Sequence, residues 1–445
     1  MGNVDRTASR TVIPQSRGLR LLPIFVALPY LFITWGLFLV GPYVWPVRQW
    51  WAIYALIPAA FLALGMGFVV GTRGQAQASG MPAAKAMFWI GGLAALALLV
   101  PSSLVYTGKL PWQLSGALES QKDAYSALAE QLAATQGSRG PIALARALFG
   151  PLTFCVVPIV VVLWESATKL EKTLAFGTVA ASVIFSIERG TTSQLADVFI
   201  VGLSAFLVRV GIFTGNLAGL ARHWRALVGA AVAFSIILVV VVGRTEARLG
   251  GQNIRCLANS GVCADLSSGV YGRMGDTVAF GSAAVTGYFS QGYYGVALAA
   301  EKDWEPTWGI GHSPVASALF VMLGGSESFA NRSFTFRARS DGWSDETQWS
   351  SLITWLANDL TLWGSIVALF GLGWLWGKSW LDASAGGDLR GTVLFCVLSL
   401  MVFYLPANNY LMSTYEGYTT LVFWLAVWGF RRRRRSAPSF SEDRS

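Results

Sequence analysis

Residues 21–41 read LLPIFVALPYLFITWGLFLVG, an apolar run with no charged side chain. An α-helix rises roughly 1.5 Å per residue, so this stretch matches the roughly 30 Å hydrocarbon core of a bilayer. Similar runs recur as far as Phe430. They place spans at residues 21–41, 50–71, 86–106, 144–165, 172–187, 194–214, 225–243, 351–377, 391–411 and 413–430, the fifth being short. Each must be helical, because hydrocarbon offers no partner to an unpaired backbone amide or carbonyl. Continuous runs rather than short alternating ones exclude a membrane β-barrel. The expected fold class is an all-α polytopic membrane protein of about ten transmembrane helices.

Composition agrees. Of 445 residues, 54% are hydrophobic and only 13% are charged, against about a quarter charged in soluble domains. The net charge of +9 does not point to nucleic acid, since Arg431 to Arg435 form one terminal run directly after an apolar segment. Residues 21–41 are long enough to remain as a span, so no cleavable signal peptide is expected. Gly65, Gly67 and Gly71 suggest close helix packing. Gly371, Gly373 and Gly377 lie within a span and follow no strand, so they are not a dinucleotide fingerprint.

Basic residues set the expected orientation. Arg6, Arg10, Arg17 and Arg20 precede the first span, which puts the 1–20 tail in the cytoplasm. Alternation then places Arg73 and Lys85, Lys169 and Lys172, Arg222 and Arg225, and Lys378 and Arg390 on the same side. An even number of spans returns the 431–445 tail there with its arginine run. Two segments are left outside. Within 107–143, Leu118, Tyr125, Leu128 and Leu132 share one helical face, as an interfacial helix would. Residues 244–350, between the spans of 21–243 and those of 351–430, form a large outer loop too long to lack structure or function.

Cysteines bear on sidedness. Cys155 and Cys396 lie in apolar runs and read as small hydrophobes. Cys256 and Cys263 sit in the polar outer loop, where a disulfide is the natural reading if that loop faces an oxidising, periplasmic compartment. Zinc is the poorer reading, because no second pair of ligands stands nearby.

The chemistry available outside lies mostly between Gly287 and Pro314, GYFSQGYYGVALAAEKDWEPTWGIGHSP. Residues 277–300 are apolar but interrupted by Gly281, Gly287, Gly292 and Gly295. A broken or re-entrant segment of this kind is tolerated where it lines a cavity or is buried in protein. Tyr288, Phe289, Tyr293 and Tyr294 offer flat faces suited to sugars or to a membrane-interface belt. Gln291, Glu301, Asp303, Glu305 and His312 add polar groups. Arginines form a second set: Arg189 in IERGTTSQ, Arg209 within a span, Arg273 in VYGRMGD, and Arg332, Arg337 and Arg339 in NRSFTFRAR. Arg209 has the option of snorkelling to the cytoplasmic side, and the last three also fit a solvated loop face. The guanidinium fork suits diphosphate oxygens. An attacking hydroxyl must lose its proton. His312 is the favoured base, because imidazole changes charge near neutral pH, with Glu188, Glu301 and Asp303 as rivals. No P-loop, GxSxG, HExxH, CxxC or Asp-x-Asp pattern occurs, so neither a metal nor another cofactor is expected. The reaction energy must arrive in the substrate.

At IERGTTSQLADVFIVGL and GYFSQGYYGVALAA…WEPTWGIGHSP the chain resembles the O-antigen and exopolysaccharide polymerases of the Wzy type, the oligosaccharide repeat unit polymerases. The resemblance implies a bacterial inner-membrane protein that joins undecaprenyl-diphosphate-linked oligosaccharides in the periplasm. A flippase and a chain-length regulator would be its companions. It further implies that Arg189 and Arg273 bind diphosphate or acceptor, with Glu188 in an undefined role. His312 falls where the related O-antigen ligases use a loop histidine. A ligase is the nearest alternative, and a transporter without chemistry the more distant one.

Overall fold

The computed structural model describes residues 15–77, 83–113, 140–191, 193–249, 256–257, 260–267, 269–345 and 347–436. Most of the expected interfacial helix, including Leu118, Tyr125, Leu128 and Leu132, lies outside them. The described residues are helical, without named strands. In order they form α1 (Arg17–Val40), α2 (Ile57–Gly71, after a π turn Ala52–Leu56), α3 (Ala84–Thr107), α4 (Gly140–Val162), α5 (Lys169–Glu188) and α6 (Ser193–Thr214). Then come α7 (Leu217–Arg222), α8 (Trp224–Leu249), α9 (Asp276–Ser290), α10 (Gly292–Ala299), α11 (Pro314–Met322), α12 (Glu327–Ala330) and α13 (Phe334–Arg337). The chain closes with α14 (Leu352–Ser384), α15 (Leu389–Tyr404) and α16 (Tyr415–Ser436).

Among the described residues, seven helices are long and apolar enough to cross a membrane: α1, α2 with its π turn, α3, α4, α5, α6 and α14. Helices α8, α15 and α16 occupy the other three expected spans but do not meet that length and composition among the described residues. The boundaries move for local reasons. Helix α15 stops at Tyr404 rather than at 411, because Pro406 has no amide to continue the hydrogen-bond ladder. Helix α5 starts at a capping box in which Thr168 and Glu171 satisfy each other's backbone amides.

The helix contacts sort the chain into two ends. At one end Ser16 N–H donates to Gly215 O, Arg209 pairs with Glu165, and Gln77 N–H donates to Asp382 Oδ1. The Arg209 guanidinium is engaged at this end, by Glu165 and the Val161 carbonyl. At the other end Val44 N–H donates to Cys263 O, Arg48 pairs with Glu301, and Leu352 N–H donates to Leu405 O. Cys256 and Cys263 are bonded at this second end, while Cys155 and Cys396 are buried and free.

Helices α2 and α14 meet through glycine. A Cβ on Gly67 would lie 2.0 Å from Phe370 O, and one on Gly373 would lie 2.0 Å from Leu64 O. Only hydrogen fits there, so the backbones touch.

The expected interruption of residues 277–300 falls at Gln291, between α9 and α10. Helix α10 does not line an open path. Every one of its residues is buried, and a Cβ on Gly292 would lie 2.3 Å from Pro406 O. The segment is a wedge between residues 350–351 and 406–407.

Candidate functional site

Two polar constellations occupy the second end, and the turn between α15 and α16 joins them. The first is built on a break in α14. Thr361 has φ 71°, outside helical geometry, just after Asn358 and Asp359. The freed Asn358 carbonyl accepts from Trp304 Nε1 and Thr307 Oγ1, and the Asn358 side chain ties Gly311 O to Phe334 N–H. Residues 307–312 wrap around the Asp359 carboxylate. Its Oδ1 accepts from Thr307 Oγ1, Gly309 N–H at 2.9 Å and Gly311 N–H at 3.0 Å. Its Oδ2 accepts from His312 N–H at 2.9 Å and faces His312 Nδ1 at 3.0 Å. Trp308, at φ 47°, is held in the left-handed region, a strain that the surrounding hydrogen bonds sustain.

The loop is pinned from its other side as well. Asn409 Nδ2 donates to His312 O at 2.6 Å, and Ser313 Oγ donates to Met412 O at 2.7 Å. The His312 ring lies beside Tyr418, with centroids 6.0 Å apart.

The second constellation is a cavity of about 240 Å³ on the far side of the 409–418 segment, enclosed by α3, α4, α5, α6, α15 and α16. Besides serine and threonine hydroxyls, its polar lining includes Arg146, Arg189, Gln194, Asp197, Tyr410 and Glu416. Both guanidinium groups stack on the Phe185 ring, Arg146 at 4.5 Å and Arg189 at 4.3 Å from its centroid. Arg146 also bonds Glu416 Oε2 at 2.6 Å and Ser102 Oγ at 3.3 Å. Arg189 follows the last residue of α5, and its buried Nε has no hydrogen-bond partner. Asp197 accepts from Tyr404 OH at 2.8 Å on Oδ1 and from Tyr410 OH at 2.9 Å on Oδ2. Burial, with Asp197 beside it, pushes the Tyr410 hydroxyl well above its ordinary pKa, so it stays protonated and donates. The cavity therefore offers forked cation donors, a held carboxylate and an aromatic wall, the equipment for gripping a polyanionic group. No family model, curated protein or solved structure matches the chain.

The residues singled out in the sequence fall in different places. Arg189 lines the cavity. Glu188 is buried beside it, taking a hydrogen bond from Ser103, but is not part of its lining. Arg273 is exposed at the end of a short turn, Tyr271–Arg273, away from the cavity lining. Arg189 is thus brought together with Arg146 and not with Arg273. His312 sits across the 409–418 wall, outside the lining.

Tyr293 and Tyr294 are core residues. Tyr293 OH meets Thr34 Oγ1 at 2.8 Å, and its ring packs against Phe38 and Phe61. Tyr294 packs against Trp45 and Trp343. This burial removes them from the sugar-contacting set. Tyr288 stands edge-on to Trp349, and Gln291 is half-buried at the α9–α10 junction. Glu301 is engaged by Arg48, and Asp303 offers its carbonyl to Arg337, which also bridges Glu305 at 3.0 Å. Arg332 is exposed over Phe329. These contacts shape the 244–350 segment rather than the cavity.

Sequence reasoning missed Arg146, Asp197, Glu416 and Asp359. All four lie within helices read as spans, and each is an ionisable group in an apolar setting. That signal was present, since such residues are functional candidates by default.

Proposed function

We propose that the protein is a membrane glycosyl-transferring polymerase, joining oligosaccharides carried on undecaprenyl diphosphate without a metal. The observation that carries this reading is the pair Arg146 and Arg189, stacked on Phe185 and facing one cavity at the end that holds the outer loop. A glycosyl diphosphate is already a good leaving group. The protein must hold it, neutralise the charge that develops on its oxygens, and bring a hydroxyl to the anomeric carbon. Arg189 enters the reading with donors to spare. Arg146 would keep Glu416 on Nη2 and offer its remaining donors to the diphosphate. On this reading the chain crosses a bacterial inner membrane ten times, with both tails in the cytoplasm. The cavity opens to the periplasm, where a flippase delivers the units and a chain-length regulator limits the product.

The test uses cells that make the polymer, with the chromosomal gene replaced by Arg146→Lys or Arg189→Lys. Lysine keeps the charge and loses the fork. At matched protein levels, each variant is expected to cut long-chain product at least about tenfold, and single lipid-linked units should accumulate. A full-length ladder in both variants removes the pair from the site. Transfer of single units without any ladder in the wild type would indicate ligase chemistry, and glycan movement without new glycosidic bonds would indicate a transporter.

A further inference from the structure

The polymerase reading leaves a carboxylate in the cavity without a task. Asp197 stands in the second turn of α6, lines the cavity together with both arginines, and is held on each oxygen by a tyrosine hydroxyl. We propose that Asp197 is the catalytic residue that takes the proton from the acceptor sugar hydroxyl. This rests on the polymerase reading and names the proton acceptor for it.

Elimination among the neighbours leads to the same residue. Glu416 is engaged by Arg146 at 2.6 Å. Glu188 does not line the cavity. His312 lies behind the 409–418 segment with Nδ1 turned to Asp359. Asp197 alone among these carboxylates is both in the lining and outside any ion pair among the described residues. Each carboxylate oxygen has room for further hydrogen bonds, so accepting one from each tyrosine leaves capacity for a substrate hydroxyl. The two tyrosines also fix the carboxylate's plane, which prepositions it.

The step balances. The acceptor hydroxyl oxygen forms a bond to the anomeric carbon of the donor sugar. The bond from that carbon to the diphosphate oxygen breaks, and its electron pair stays on the diphosphate, held between Arg146 and Arg189. The hydroxyl proton passes to Asp197 and leaves for water after product release.

The experiment pairs chain growth in cells with binding of undecaprenyl diphosphate by the purified full-length protein in lipid nanodiscs. Asp197→Asn is nearly isosteric and keeps an oxygen acceptor. It is expected to slow chain growth on the order of 10²–10⁴-fold, the usual loss on removing a general base, while binding stays within about twofold of wild type. Tyr404→Phe removes a donor but leaves the carboxylate, and should slow growth less than about tenfold. Unchanged growth in Asp197→Asn overturns the proposal. So does loss of binding along with growth, which would make Asp197 a structural counter-charge. Should Asp197→Asn fail to accumulate, Tyr404→Phe decides: growth abolished in a folded Tyr404→Phe protein shows that the link to Tyr404, not the carboxylate's basicity, matters. Binding that survives both arginine substitutions would instead count against the polymerase reading itself.

Discussion

Asp359 shows how one side chain can organise a loop from inside a helix. It accepts from Thr307, Gly309, Gly311 and twice from His312, replacing the regular structure that residues 307–312 lack. Asp359→Ala would leave those amides without a partner. Local opening of the loop should become easier by at least about 2 kcal/mol, or roughly 30-fold faster hydrogen exchange at Gly309, Gly311 and His312. Asp359→Asn keeps an acceptor for three of the donors and should lie between. Unchanged exchange in Asp359→Ala would mean that the carboxylate is not what holds the loop. His312 was visible in the sequence as one of two histidines. Its partner, 47 residues later in an apolar run, was not, because no local pattern links the two. The same holds for Arg189 and Arg146, which only the folding of α4 against α5 and α16 brings to one ring.

At the scale of elements, composition and placement part company. Residues 287–295 have the tyrosines and glycines of a sugar platform, yet Tyr293 and Tyr294 face the core and Gly292 lets α10 press on the 406–407 backbone. Sequence shows which side chains a segment owns, but not which neighbour will cover them. The helix glycines were more legible, since small residues in an apolar helix have few uses besides close packing. Their contacts yield a sharp expectation. Gly67→Ala and Gly373→Ala each put a methyl group against facing backbone and should destabilise by about 1–3 kcal/mol. The double variant should fall short of the sum, because one separation of α2 from α14 relieves both clashes. A Cβ at Gly371 meets nothing within 4 Å, so Gly371→Ala should be neutral or gain up to about 1 kcal/mol of helix propensity. Unfolding in mild detergent under increasing sodium dodecyl sulfate compares the four proteins. Equal behaviour at 67, 371 and 373 would refute the glycine contact.

For the whole molecule, the sequence supplied a chain of alternations in which any misjudged span inverts everything after it. The structure replaces that chain with contacts. Residues 16, 77, 165, 209, 215 and 382 belong to one end, and residues 44, 48, 263, 301, 352 and 405 to the other. Trp428 Nε1 bonds Asp382 Oδ2 at 3.2 Å, which carries α16 back to the first end, while Glu416 meets Arg146 near the start of α4. The disulfide belongs to the end with the cavity, and a lasting disulfide favours an oxidising compartment. The arginine run at the C-terminal end of α16 is expected on the opposite side. These two chemical preferences are independent, and they agree only if α16 crosses the membrane despite its charged end. A phosphatase reporter inserted at Ser267 should therefore be active only when exported, and a fluorescent reporter fused after Arg435 should mature only in the cytoplasm. If both sites report the same side, α16 does not cross and the basic tail lies beside the cavity. If both are reversed, the cavity faces the cytoplasm, where thiols stay reduced. A lipid-linked donor would then have to be consumed before its export, and the polymerase reading would lose its compartment.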